Sequence, residues 1–409
     1  MRLSSVCRLD NGEKVSNVKL PLLDAKYLRG KSSENMVSSG ILVNKDDYII
    51  LVDGENSGEV FKAPVCGIMG TTFKKLYITT STYNKYVLYL LKYYQGVFRH
   101  SKRGAAIPHL DKLLFANLMV GLPPISEQER IVNEIEKIFS EIDIVKKNQE
   151  ELSKLKDGLK NKILDLAIRG KLVEQDPNDE PASVLLEKIK VEKAELVKQG
   201  KIKKDKHESY IFKGADNRHY EKIGLETKDI TDEIPFEIPN LWIWCRLDSI
   251  GNIVSGGTPK TKIKENWENG TVPWLTPADM KYIKGRYVAH GERFITEQGL
   301  NSSSAILIPK NSIVYSSRAP IGYIAITQNP LCTNQGFKSF VSFDNKLVDY
   351  TYYALIALTD YIISRASGTT FKEISGSEFA RTLVPLPPIN EQNRIIKRIT
   401  LLMNAIEFL

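Results

Sequence analysis

The chain has 409 residues, 42% of them apolar, and a formal charge of +8 with a pI near 9.0. The length provides for two to three domains with cores of their own, the composition excludes a disordered chain, and the basic balance favours a polyanionic partner. Four isolated cysteines (Cys7, Cys66, Cys245, Cys332) argue against a zinc ribbon or a disulfide scaffold and for a reducing cytoplasm.

No basic head followed by an apolar stretch marks a signal peptide, and no apolar run approaches the roughly 18 residues of a membrane span. Tyr350 to Ile363 comes nearest, and Asp360 interrupts it.

Near the start, Gly30-Lys31-Ser32 has the tail of a phosphate-binding P-loop, but Ala25 stands where that loop needs its first glycine. Lys74-Lys75 and Arg99-His100-Ser101-Lys102-Arg103 are basic clusters. Tyr83 to Tyr94 has helical spacing. Leu122-Pro-Pro-Ile-Ser-Glu-Gln-Glu-Arg130 then ends the first segment. Its prolines hold the approach extended, and Ser126 with Glu129 reads as a capping box.

Ile131, Ile135, Ile138, Ile142 and Val145 repeat at heptad spacing, and Leu152, Leu155, Leu159, Ile163 and Leu166 continue the seam after a phase slip. One helix is predicted from Ile125 to about Ile168, roughly 65 Å long. Ser153-x-x-Lys156 lies on it as a solvated face. Arg169-Gly170 supplies a stop, and Glu174 to Pro181 a turn. Ala182 to Gln199 reads as a second helix, and Lys198 to Lys206 as a solvated linker end.

Further on, Ile306 to Tyr315 and Ile321 to Ile326 read as strands, and Leu347 to Ala366 as helix. Leu386-Pro-Pro-Ile-Asn-Glu-Gln-Asn-Arg394 repeats the proline motif 264 positions on, with Asn390 as its expected cap. The same offset relates Gly58 to Gly322, Gly104 to Gly368 and Phe115-Ala116 to Phe379-Ala380, and Ile41 to Lys45 parallels Ala305 to Lys310. Cys7-Arg-Leu-Asp10 matches Cys245-Arg-Leu-Asp248 at an offset of 238, which makes the first copy 26 residues shorter. The chain is thus a tandem pair of mixed α/β units that share a frame and differ in filling.

No G-x-G-x-x-G, H-E-x-x-H or G-x-S-x-G occurs, and the five histidines have no ligand spacing, so binding is favoured over catalysis. The nucleic-acid candidates are Lys74, Lys75, Arg99, Lys102 and Arg103 in the first copy. In the second they are Thr258, Lys260, Lys262, Arg318, Asn334, Gln335 and Lys338. Lysines and arginines neutralise phosphates, glycines as in Ser255-Gly-Gly-Thr-Pro259 allow close backbone approach, and amides and guanidinium groups read base edges. Trp242, Trp244, Trp267 and Trp274 read as packing anchors.

These motifs resemble the specificity subunit of a type I restriction-modification system. The resemblance rests on both Leu-Pro-Pro-Ile-x-Glu-Gln motifs, on Leu164 to Val173, on Gln175 to Leu186, on Ile238 to Asp248, and on Ser255-Gly-Gly-Thr-Pro259 through Val272 to Asp279. It implies two target-recognition domains, each reading half of a split DNA sequence, separated by long antiparallel coiled-coil helices. It implies double-stranded DNA as ligand, and as partners two methylation subunits and the restriction subunits. S-adenosylmethionine, ATP and magnesium are expected on those partners only; the chain itself would be non-catalytic, without cofactor, away from membranes and cytoplasmic.

The expected domains are 1–121 (a short first recognition domain), 122–235 (central helices and linker), 236–386 (second recognition domain) and 387–409 (a distal helix of about 30 Å). The first domain lacks a Trp-containing lead, and the distal helix is less than half its sister. The alternatives are a coiled-coil scaffold, or a shortened or recombining specificity cassette no longer competent in a full complex.

Overall fold

A computed structural model describes residues 1–100, 109–202, 209–283, 285–368 and 372–409. Its backbone divides into two compact units, Met1–Glu150 and Glu151–Leu409.

The first unit is built on a four-stranded antiparallel sheet. Its strands are β1 (Cys7–Asp10), β4 (Tyr48–Leu51), β5 (Val60–Lys62) and β7 (Phe73–Ile78), in the order β1-β7-β4-β5. A long hairpin of β2 (Lys14–Leu23) and β3 (Met36–Val43) closes on β6 (Gly67–Met69), and the short α1 (Ala25–Leu28) lies within the hairpin. Leu3, Val6, Ile50, Leu76, Val87, Leu91 and Phe115 form the main core. Helices α2 (Asn84–Tyr93), α3 (Gln95–His100) and α4 (Lys112–Asn117) follow, and then the proline motif and α5 (Ile125–Ile168).

The second unit opens with the last turns of α5 and with α6 (Ala182–Lys198). A meander of β8 (Ser209–Lys213), β9 (His219–Ile223) and β10 (Glu226–Asp229) comes next, in a stretch the sequence reading treats as linker. β11 (Ile243–Arg246) leads into β12 (Gly251–Ser255), β13 (Val272–Leu275), β14 (Tyr287–Val288), β15 (Arg293–Ile295) and α7 (Glu297–Asn301). β16 (Ile313–Ser317), β17 (Ile321–Thr327), β18 (Cys332–Thr333) and β19 (Lys338–Ser342) complete the sheets. The strand order β12-β19-β16-β17 is that of the first unit, with β14 added parallel to β17 at the edge. Helices α8 (Val348–Ala357), α9 (Thr359–Ser364) and α10 (Gly376–Ala380), strand β20 (Leu383–Leu386) and α11 (Ile389–Glu407) follow.

The bounds of α2 and α3, moved by 264, are those of α8 and α9, and α4, α5 and α10, α11 start 264 apart. The predicted helix Leu347 to Ala366 is therefore two, broken at Leu358, whose backbone N–H caps α8. The strand expected over Ile306 to Tyr315 begins only at Ile313, and Ile308 makes a single bridge to Leu331.

The Cys7–Cys245 match is out of register. Arg2 bridges Met119 and Arg246 pairs with Leu383, while Cys7 pairs with Ile78 and Gly251 with Ser342. Arg2-Leu-Ser-Ser-Val6 thus answers Arg246-Leu-Asp-Ser-Ile250 at an offset of 244, and each includes a 3-10 turn starting at a fully buried leucine. Cys-Arg-Leu-Asp is a coincidence of letters, and the first copy is 20 residues shorter over this stretch rather than 26.

The capping box does not form. The helices start at Ile125 and Ile389, which puts the expected caps Ser126 and Asn390 inside them. The second proline carbonyl takes the first helical N–H groups instead: Gln128 N–H donates to Pro124 at 3.0 Å, and Gln392 N–H to Pro388 at 2.9 Å. The motif's glutamine turns back on the first proline, Gln128 Nε2 to Pro123 O at 2.8 Å and Gln392 Nε2 to Pro387 O at 2.9 Å.

In the second unit α11 runs antiparallel to the last turns of α5. Lys160 Nζ meets Glu407 at 2.6 Å near the end of α11, and Ile395 and Ile399 share a core with Leu164, Ala167 and Ile168. The motif's Glu391 is buried, accepts from Trp242 Nε1 at 2.8 Å and is bonded by Gln175, and Arg394 pairs with Asp179 at 2.6 Å. The turn after α5 is thereby pinned to the second motif. Burial pushes the Glu391 carboxyl up against the pull of those bonds. Trp242, Trp244 and Trp274 are buried, and Trp267 is half-buried with Arg293 3.6 Å over its ring.

Candidate nucleic-acid interface

In the second unit, the turn leaving β12 lies directly on the loop between β18 and β19. A Cβ on Gly256 would come within 2.0 Å of the Asn334 carbonyl oxygen, and one on Gly257 within 2.3 Å of Ser304. Only glycines fit there. Gly257 N–H donates to Thr333 O at 2.8 Å, and Trp274 Nε1 to Gly257 O at 2.9 Å.

This contact sets Thr258 beside Gln335, with the threonine hydroxyl donating to Gln335 Oε1. Asn334 Oδ1 is held by Gly336 N–H at 2.9 Å, and Gln335 is exposed. Lys338 is 8% exposed; its Nζ donates to Gln335 O at 3.4 Å and lies 3.9 Å from Glu373. Arg318 reaches the same carboxylate at 3.6 Å. Burial, with the Arg318 charge in the same direction and Glu373 opposing, lowers the Lys338 pKa.

Thr258, Arg318, Asn334, Gln335 and Lys338 therefore gather into one cluster. Lys260 and Lys262 are exposed on the segment that continues from Thr258. The Lys260 carbonyl is anchored by Asn266 Nδ2 at 3.2 Å and Trp267 Nε1 at 3.3 Å. The exposed amide, hydroxyl and guanidinium groups are of the types that read base edges, and the exposed lysines of the type that meets phosphate. Glu373, which sequence reasoning missed, holds the two cationic members together.

In the first unit the candidates are spread out. Lys74 Nζ donates to Asn11 at 2.6 Å and Lys75 pairs with Asp47 at 2.8 Å; as neighbours on a strand, the two point to opposite faces. Arg99 on α3 donates to Asn56 at 2.6 Å. Lys102 and Arg103 lie outside the described residues.

The shared frame shows which positions of the first unit correspond to the cluster. Lys74 takes the place of Lys338, Asn11-Gly12 that of Ser255-Gly256, and Gly70-Thr-Thr72 that of Asn334-Gln-Gly336. The bridge Asp53–His109 takes the place of Arg318–Glu373, and His109 Nδ1 lies 2.6 Å from Asp53. Acid and base have changed sides. His109 and Glu373 stand 264 apart, but Asp53 and Arg318 stand 265 apart, so the sequence frame alone would have set Asp53 against Ser317; the strand register makes the match. Among the described residues, no helix is long and apolar enough to cross a membrane.

The model of the family described as "Type I restriction modification DNA specificity domain" matches residues 1–154 and 239–409. The specificity subunit of the type I restriction enzyme MjaIX from Methanocaldococcus jannaschii is 40% identical over 161 residues, 39% of this chain and 37% of that one. The EcoAI specificity subunit from Escherichia coli is 33% identical over 261 residues, 59% of this chain and 39% of that one. The matched region thus spans about two fifths of the length of these relatives. A chain solved in work on complex assembly and conformational transition of the type I R-M system shares the fold, with a TM-score of 0.59 at 17% identity, covering 100% of this chain and 90% of that one. Two matched segments over most of its length, on two units with one strand order, place this chain in the type I restriction modification DNA specificity domain family.

Proposed function

We propose that the chain is the DNA-recognition subunit of a type I restriction-modification complex, working in the cytoplasm, in which each unit reads one half of a bipartite duplex target. One observation carries this reading. The two units present one strand order with different side chains at equivalent positions: Asn334-Gln335, Arg318 and Glu373 in one, Gly70-Thr71, Asp53 and His109 in the other. A conserved scaffold with exchanged donors and acceptors is what reading two different half-sites requires.

In this proposal Lys260 and Lys262, with Arg99, Lys102 and Arg103 in the first unit, meet phosphates. Thr258, Asn334, Gln335 and Arg318 face base edges, and Lys338 supports Gln335 from beneath. Lys74 and Lys75 frame the equivalent position of the first unit. The helices dock two methylation subunits and, through them, the restriction subunits. The chain does no chemistry; S-adenosylmethionine, ATP and magnesium belong to those partners.

Co-expression with the cognate methylation subunit and methylome sequencing tests this. Adenine methylation at one split motif is expected, and a methylome with no new motif would overturn the proposal.

A further inference from the structure

The two sheets end differently. In the second unit the outer edge of β17 is covered by β14, with Ile326 N–H donating to Arg286 O and Gln328 N–H to Val288 O, both at 2.8 Å. Arg286 anchors this covering segment to α8: its guanidinium pairs with Asp349 at 2.9 Å and lies 6.0 Å from the Tyr353 ring.

In the first unit the equivalent edge is β5, and among the described residues no strand pairs with its outer side. Leu51 N–H donates to Glu59 and Ala63 N–H to Asp47, 2.8 Å each. Antiparallel alternation then turns the Val60 and Lys62 amides outward, and Lys62 stands in the place of Ile326. Along this edge runs a cleft of about 610 Å³, walled by Val60, Phe61, Leu88 and Tyr89; it carries Lys62, Lys85 and Lys92 against Glu59 and Glu136, and Lys62 pairs with Asp46 at 2.7 Å. Tyr89 occupies the place of Tyr353, 264 positions away, and Lys85 that of Asp349. The anchor site has kept its aromatic wall and reversed its charge. Lys85 is half exposed and at present meets Glu136 at 2.7 Å.

We propose that this edge is a docking groove for an extended acidic segment of a partner polypeptide. The segment adds as a parallel strand to β5 on the outward Val60 and Lys62 amides, with a carboxylate where Arg286 sits and an apolar pair after it; the bond that Gln328 N–H makes to Val288 has no counterpart, since Pro64 stands in its place. Main-chain bonds to the open edge hold the strand, and Lys85 selects the sign of its leading charge.

The test uses the full chain and two fluorescent peptides of residues 281–290, one native and one carrying Arg286→Glu. The Glu peptide is expected to bind at least tenfold tighter than the native one, with an affinity that falls as salt is raised. Lys85→Glu should reverse the preference. Lys62→Pro, which removes an outward N–H without touching the ladder to β4, should abolish binding of the Glu peptide at unchanged thermal stability. Equal binding of the two peptides, no binding of either, or an unchanged preference in Lys85→Glu would each overturn the proposal.

Discussion

At the scale of the residue, Glu221 of β9 is held by two guanidinium groups in the second unit. It is fully buried, bonded to the Arg246 guanidinium at 2.7 and 3.2 Å and to Arg381 at 3.0 Å. Burial alone would raise its carboxyl, but the bonds and charge of Arg246, with Ser209 and Arg381, outweigh that and hold it at about 2. Because this lies below its ordinary 4.5, the stabilisation is complete above pH 4.5 and is lost as the pH falls toward 2. Urea unfolding followed across that window should show a loss of stability that Glu221→Gln lacks. At pH 7 the same substitution should cost about 3–5 kcal/mol, because the buried Arg246 loses its doubly bonded carboxylate and keeps only the partly exposed Glu233 as an ion-pair partner. The sequence offered no sign of this cluster. Its members sit on a meander, a strand and a loop up to 160 positions apart, and each alone looks like a surface charge.

At the scale of the element, helices were more legible than strands. A 3.6-residue period over many residues survives in the letters, and α5 and α6 lie where the spacing puts them. The strands are three to five residues long in most cases, and their pairing is non-local, so a four-letter match such as Cys-Arg-Leu-Asp could outweigh the true register. The caps were misread because serine and asparagine are good caps, whereas here a proline carbonyl and a glutamine side chain do the capping. The glutamines are not equivalent. Gln128 also accepts from Tyr83 N–H at 2.9 Å, while in the second copy the corresponding Leu347 N–H turns to Asp344 O, leaving Gln392 Oε1 with no partner among the described residues. Gln128→Ala should therefore destabilise by about 1–3 kcal/mol, and Gln392→Ala by less, which paired denaturation curves will show.

At the scale of the whole molecule, the duplication was legible from residue spacing and the family from the resemblance of the motifs, and the composition of the interface was not. Thr258, Asn334 and Gln335 could be nominated by type, but their meeting depends on two glycines, and Arg318 and Lys338 join them over a carboxylate far from both glycines in sequence. Exchanging residues 1–120 for another first domain should change one half of the methylated motif and leave the other, read by methylome sequencing. Lys262→Ala should weaken binding equally on all sequences and reduce the salt slope by about 0.9 log units per decade for one lost phosphate contact, measured by anisotropy titrations.

The exchanged polarity of Asp53–His109 and Arg318–Glu373 bears on how such a chain can change over time. Two tandem copies with one frame invite unequal crossing-over. A crossover falling between the strand position and the loop position would set Asp53 against Glu373, two carboxylates, or Arg318 against His109, two bases. The inverted pair thus distinguishes the two copies: a copy kept whole keeps an acid opposite a base, and mixed halves set two acids or two bases opposite each other at the rung beside the reading surface.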